Sequence, residues 1–413
     1  MSGRLGYLDS VRGLAASSVV LGHFAGCYAT FLTAAPFAVM VLGQRPWLSP
    51  ILLAEDSDTA VCLFFVLSGF VLTKVFAKYL GAPAATLTGR AVRLFLPGLC
   101  ACIFGFLVFL VTPHPAGAAP LAHWTNVVKD AFVSMPLLGY EGQSIFDQLP
   151  FISSFVAAPS SALDQPLWSL SVEWQGSLLI YALIGLRSRQ RRLWTAVICA
   201  LGLLLLRDWL VCFLFGHLVA VYSEPLSRLT WRPSTRRIIA GVSLALGLFI
   251  CLLAAANIVG PFGNLIAANL PLPSCNDPTD AMRLYAAMLI FAGVFTLTEL
   301  HPSLEHPFLA WLGRMSFPIY LTHFPIVYWV VPLTFRHLPF WFWVPNPASL
   351  AINPEIEYPR VIIGSFVAMI VMTLMAATVF LAIDRSAISA GHKLRAYMLE
   401  VRPEKRSAFR HFR

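Results

Sequence analysis

The stretch Tyr7–Leu32, "YLDSVRGLAASSVVLGHFAGCYATFL", decides the fold class. After Asp9 its Val, Leu, Ala, Gly and Phe residues form an apolar run long enough to cross a bilayer, for which a helix needs roughly 20 residues. The same run carries Arg12 and His23. Ionisable groups inside a span are costly, so they pair with one another, face the bundle interior or line a substrate path. Because the apolar run follows Asp9 directly, it is expected to act as an uncleaved anchor.

The rest of the chain repeats this pattern. It has 413 residues, 58% of them hydrophobic and only 12% charged, with mean hydropathy +0.73. A soluble core of that length needs far less apolar surface, so the class is an integral membrane protein. About ten spans are predicted, beginning near Val11, Asp58, Leu94, Trp168, Leu193, Trp209, Ile238, Ala281, Ser316 and Val361. The runs at Leu193 and Trp209 are short and separated by Arg207 and Asp208, so they also fit a single broken hairpin. The expected architecture is an all-α bundle of about ten transmembrane helices.

Charge distribution gives the orientation. With the N-terminus inside, the connections predicted as cytosolic hold most of the 29 Lys and Arg residues, including Lys74, Lys78, Arg90, Arg93, Arg187, Arg192, Arg232 and Arg237. Arg45, Lys129, Arg207, Arg283, Arg336 and Arg360 fall outside or at outer ends. The positive-inside rule then places both termini in the cytosol. The formal charge of +9 needs no nucleic-acid partner, because a basic cytosolic face suits anionic headgroups of the bilayer. Residues 1–385 read as one polytopic membrane domain and 386–413 as a basic cytosolic tail.

The predicted outer segments differ in character. Pro113–Gln165 is rich in Pro, Gly, Ser and Ala, and "LPFWFWVPNP" around Trp341 reads as an interfacial aromatic belt. The eight cysteines lack CxxC or Cys/His metal spacing and behave as small apolar residues. No metal site is expected. Neither the host membrane nor the oligomeric state is legible.

Several polar residues within the spans carry the chemistry. Arg12 and His23 are about three helical turns apart and share one face, with a rise between them of roughly 16 Å. This sets Arg12 at the cytosolic mouth and His23 near mid-bilayer. A neutral imidazole there can take a proton from a hydroxyl as a general base, or hydrogen-bond to a neighbouring helix as packing. In "LWSLSVEWQGSLLIY", Glu173 lies roughly 8 Å below the predicted outer boundary, where it can pair with His23 or snorkel to the interface. Ser68 and Gly69 in "FFVLSGFVLTK" suit close helix packing or ligand approach. Arg90 and Arg93 share a face and suit phosphate groups, although a plain positive-inside anchor uses the same residues. Ser316, Tyr320 and His323 align along one face of "LGRMSFPIYLTHFPI", ahead of a kink at Pro325.

Together these pieces resemble the membrane-bound acyltransferase-3 family, which moves acyl groups from acyl-CoA to hydroxyls of sugars, glycans or secondary metabolites. The family's Arg-x10-His pattern falls on Arg12 and His23, and its Ser-Gly motif on "FFVLSGF". Its Arg-x-x-Arg falls on Arg90 and Arg93, its Ser-x-Glu on Ser171 and Glu173, and its Tyr-Leu-x-His on Tyr320, Leu321 and His323. The resemblance implies ten spans, His23 and Glu173 as the catalytic pair, and Arg12, Arg90 and Arg93 as the site for the phosphates of acyl-CoA, acetyl-CoA in the first instance. Ser68, Ser171, Tyr320 and His323 are then the candidates for substrate contacts or oxyanion donors. The implied acceptor is a hydroxyl-bearing small molecule or glycan. Some relatives carry a fused extracytoplasmic hydrolase-like domain, and none follows the tenth span here, which favours a small or membrane-drawn acceptor. A proton-coupled transporter is the competing reading of the same His and Glu, though the two halves show no matching repeats or broken helices.

Overall fold

The computed structural model describes residues 6–34, 56–111, 165–206, 208–227, 232–256, 258–259, 278–327 and 354–400. Ten helices of at least three turns order the described residues. They are α1 (Gly6–Ala34), α2 (Ser57–Phe76), α3 (Pro83–Val111), α4 (Trp168–Arg189), α5 (Arg191–Leu204), α6 (Leu210–Ser227), α7 (Pro233–Ala255), α8 (Pro278–Thr296), α9 (Pro307–Pro325) and α10 (Pro354–Glu400). Each predicted span falls on one of them. Six are long and apolar enough to cross a membrane: α2, α3, α4, α7, α8 and α10. The chain is an integral, multi-pass membrane protein. The loop Pro113–Gln165 (before its last residue), the aromatic stretch around Trp341 and residues 401–413 lie outside the described residues.

Burial follows the logic of a bilayer. α10 turns Ile363, Val367, Val371, Met375 and Val379 outward, each about one turn from the next, and α7 exposes Ile238, Val242, Leu246 and Phe249. These faces meet lipid. Polar and charged side chains gather inside instead, among them Ser169, Ser171, His217, Ser316, His323 and Asp384. α5 is peripheral, with Trp194 its one buried side chain. The short apolar runs at Leu193 and Trp209 are separate helices, and between them the buried Asp208 carboxylate accepts from the Leu210 amide (2.7 Å) at the start of α6.

α2 is the hub. It packs against α1, α4, α6 and α8, and Phe65 and Phe70 on it are almost wholly buried against Phe213 of α6 and Phe291 of α8. Small residues let these backbones meet. A Cβ on Gly69 would stand 2.7 Å from the Phe213 Cα, and one on Gly216 would stand 2.7 Å from the Phe70 amide. α1 and α9 cross as closely at Gly13 and Gly313. Pro325 ends α9, and residues 326–327 continue in π geometry.

At the end opposite the Arg-rich connections, Arg283 is neutralised. Arg283 reaches Asp56 through Nε (2.7 Å) and Asp280 through Nη1 (2.7 Å), with Asp58 at 3.5 Å. At the basic end, Arg236 and Arg237 both bind Glu299 (3.1 and 2.8 Å), and these hydrogen bonds, Arg237's first, hold its carboxyl down to about 2. The segment after residue 385 continues α10 without a break to Glu400 and packs on α3.

The close crossing of α2 and α6 makes a clear prediction. Gly69→Val should cost about 1–3 kcal/mol through forced separation of the two backbones. Gly185→Ala on α4, where a Cβ meets nothing within 4 Å, should be neutral or slightly stabilising. Thermal unfolding of both variants in detergent checks this, and equal midpoints would refute it.

Candidate functional site

The centre of the bundle is built on Glu173. Ser68 Oγ of α2 donates to Glu173 Oε1 (2.6 Å), and Arg90 Nη2 of α3 donates to Oε2. Arg90 Nε donates to Ser177 Oγ (3.1 Å), and Ser177 donates in turn to the Glu173 carbonyl (2.7 Å) one turn back along α4. The Arg90 and Glu173 side chains are each only 13% exposed. At such burial a lone carboxylate or guanidinium is untenable, so the pair is the form in which either charge can exist there. The consecutive helices α2 and α3 and the sequence-distant α4 are thereby tied at one point.

Its depth differs from that expected by counting down from Trp168. Tyr181 of α4 donates to the Leu80 carbonyl (2.8 Å) in the connection between α2 and α3, which fixes that level as the basic end of the bundle. Glu173 lies about 12 Å above it by helical rise, and Ser68 lies about the same distance from the end of α2. The carboxylate is thus in the half nearer the basic end. α4 begins inside the bundle, with Leu167 fully buried and Trp168 packed beside Phe65 and Trp209, and its last turns run out through Arg187 and Arg189.

Arg12 is held from two sides. Its Nη2 lies 3.3 Å from Asp9 Oδ1 and donates to the Gly313 carbonyl (3.2 Å), while its Nε donates to Ser316 Oγ (3.0 Å). The Gly13–Gly313 crossing puts Ser316 within this reach. Asp9, just ahead of the apolar run, is the Arg12 partner one turn earlier.

Higher on the same helices, His23 and His323 face each other with ring centroids 5.2 Å apart. His323 Nδ1 lies 2.8 Å from the Tyr320 carbonyl, which can only accept, so Nδ1 carries the proton and Nε2 the lone pair. That Nε2 is buried and has no hydrogen-bond partner among the described residues. The expected pairing of Glu173 with His23 is replaced by these contacts, since both carboxylate oxygens are taken by Ser68 and Arg90. Tyr320 donates to the Pro166 carbonyl (2.6 Å), which leaves Ser169 as the donor in the 2.7 Å contact between the two hydroxyls. Ser171 is fully buried, donates to the Trp168 carbonyl (2.7 Å) and borders neither of the two cavities described next.

Two cavities share a wall. The larger, about 320 Å³, lies at the basic end and is lined by Asp9, Arg12, Arg90, Arg93, His392 and Arg395, with apolar α2 residues such as Val71 and Val75. The smaller, about 120 Å³, lies deeper and is lined by Ser68, Glu173, Ser169, Ser316, Tyr320 and Asp384. Arg12, Phe64, Ser68, Arg90 and Arg93 border both. His23 and His323 border neither; Tyr320 does, and its ring lies 5.8 Å from that of His323. Among the described residues no group of His, Cys, Asp or Glu is placed to hold a metal ion.

Sequence reading missed Ser169, Ser177, Asp384 and Arg395. Asp384 had a usable signal, an acid closing the last apolar run in "FLAIDRSA". Its Oδ1 is buried without a partner among the described residues. Arg395 had none, because a basic residue past a last span is expected on topological grounds alone.

The buried pair yields a stability test. Glu173→Ala strands the Arg90 charge and should cost about 3–5 kcal/mol, whereas replacing both residues by Leu should recover much of that loss. Unfolding of the single and double variants in detergent measures the difference. A double variant as unstable as the single one would refute a compensated pair.

An acyltransferase domain model, that of the acyltransferase-3 family, matches residues 5–383. Comparison with curated proteins and with solved structures returns no match.

Proposed function

Because the chain belongs to the acyltransferase-3 family and is a membrane acyltransferase, we propose that it moves an acyl group, acetyl in the first instance, from acyl-CoA to a hydroxyl of a sugar, glycoconjugate or secondary metabolite. The observation that carries this reading is the pair of joined cavities leading inward from the basic end, past Arg12, Arg90 and Arg93, towards the helix faces that bear His23 and His323. We place the basic end, and both termini, in the cytosol by the positive-inside rule.

The phosphates of the donor bind among the arginines at the mouth, where guanidinium forks match phosphate oxygens. The pantetheine arm follows the apolar side of α2 inward and presents the thioester near Tyr320. The acceptor comes from the opposite side of the bundle. The half-buried His23 imidazole takes the acceptor's proton as its oxygen attacks the acyl carbon. The tetrahedral intermediate collapses with cleavage of the C–S bond, and the proton held by the imidazolium goes to the departing thiolate. His323, its ring 5.2 Å from that of His23, packs against that imidazole and limits its orientation. Glu173 acts differently from a triad acid: it holds Arg90 and Ser68 at the thioester's approach, and an oxyanion donor from Ser68 or Tyr320, both lining the deeper cavity, has to turn its hydroxyl away from Glu173 or the Pro166 carbonyl.

The test needs no knowledge of the acceptor. Purified wild type should bind acetyl-CoA and hydrolyse it slowly. His23→Gln should bind with similar affinity and turn over about 10²–10⁴ times more slowly. Arg93→Ala should weaken binding about tenfold, as expected for one lost charge-assisted contact. Failure of folded wild type to bind any acyl-CoA, from acetyl to long-chain, would refute the donor port and leave proton-coupled transport to be tested.

A further inference from the structure

The arginines that border the larger cavity are unequally committed. Arg90 is neutralised by Glu173, and Arg12 lies against Asp9. Arg93 and Arg395 make no ion pair among the described residues, and the other acids of the two cavities, Glu173 and Asp384, border only the deeper one. Arg93 also faces Asp384 across the deeper cavity. Arg395 borders the larger cavity, whose one acid among the described lining residues, Asp9, lies against Arg12, so uncompensated positive charge at the mouth rests chiefly on Arg395.

Arg395 is also pre-organised. Its guanidinium lies over the Tyr79 ring, 4.1 Å from the centroid, in the turn between α2 and α3. It donates from Nη2 to His392 Nδ1 (2.9 Å). A guanidinium has five N–H donors in one plane, so a stacked face and one bond to His392 leave most of its donor edge open. The position is fixed by a helix crossing: a Cβ on Gly391 would stand 2.8 Å from the Gly89 carbonyl oxygen. Each glycine directly precedes a cavity residue, His392 on α10 and Arg90 on α3.

We propose that the stretch of α10 beyond residue 385 is a wall of the donor site, and that Arg395, braced by Tyr79 and His392, binds a phosphate of the donor's nucleotide opposite Arg93. This rests on the acyl-CoA reading and adds a specificity residue from a segment that the family match, ending at residue 383, does not reach. Arg395 then discriminates between donors with and without a nucleotide, while the acyl chemistry is done deeper in the bundle.

The experiment compares acetyl-CoA with S-acetylpantetheine, which keeps the thioester and arm but lacks the nucleotide, as hydrolysis substrates of the full chain in detergent. Arg395→Ala should reduce the kcat/KM preference for acetyl-CoA about tenfold, and Arg395→Glu should reduce it about a hundredfold, with a matching rise in the Kd for CoA. Tyr79→Leu keeps the charge and removes the brace, so its loss of preference should be smaller than that of Arg395→Ala. An unchanged preference in Arg395→Ala, or an equal loss for both donors, overturns the assignment and leaves Arg395 a packing residue. Absence of CoA binding by folded wild type overturns the acyl-CoA reading itself, an outcome separate from indifference of the variants.

Discussion

The ion pair between Arg90 and Glu173 is the constraint on which the centre of this bundle depends. A guanidinium and a carboxylate this deeply placed can stay charged only together, and the hydroxyls of Ser68 and Ser177 complete their hydrogen bonding. The pair therefore dictates the relative heights of α2, α3 and α4. Apolar contacts between lipid-soluble helices cannot do this, because a Leu against lipid is almost as content as a Leu against Leu. Van der Waals fit at Gly69 and Gly216 sets how closely α2 and α6 approach. The charges set which turn of α3 meets which turn of α4.

The same constraint makes the cavity. Side chains that converge on Glu173 leave the space towards the basic end walled by Arg12, Arg93 and the apolar side of α2. Polar lining inside and apolar side chains outside, as on α7 and α10, are two results of one partition: water and charged ligands enter from the end, and lipid covers the sides. The glycine crossings of α1 with α9 and of α3 with α10 bring Ser316 and His392 into that lining.

Much of this was legible in the sequence, and the illegible part has a physical cause. Hydropathy located a helix at or next to each of the ten predicted starts, and six of these helices are long and apolar enough to cross a membrane. The common face of Arg12 and His23 followed from helical period alone, and both sit on the inward side of α1. The depth of Glu173 did not follow, because counting from Trp168 assumes that a helix begins at the membrane boundary, and α4 begins among buried aromatics. Nor could spacing tell which arginine is already spent. Arg90 and Arg93 are near-identical in sequence context, and the carboxylate that distinguishes them is on another helix. Local pattern reports a residue's face, while its charge state and partners are properties of the assembled bundle.

That distinction bears on how one residue type serves several purposes in a small volume. Arg12 ties α1 to α9 through Ser316 and the Gly313 carbonyl, and Arg90 ties α3 to α4. Each has its charge met by an acid, so each can be rigid without attracting an anion strongly. Among the described residues Arg395 has no acid against it and Arg93 has only Asp384 of the deeper cavity, so the field at the mouth remains positive. A membrane protein can afford many arginines at one end on topological grounds, but only those left uncompensated beside a cavity recruit a phosphate. On the proposed reading, the acid partners, more than the arginines themselves, therefore decide where an anionic donor would come to rest.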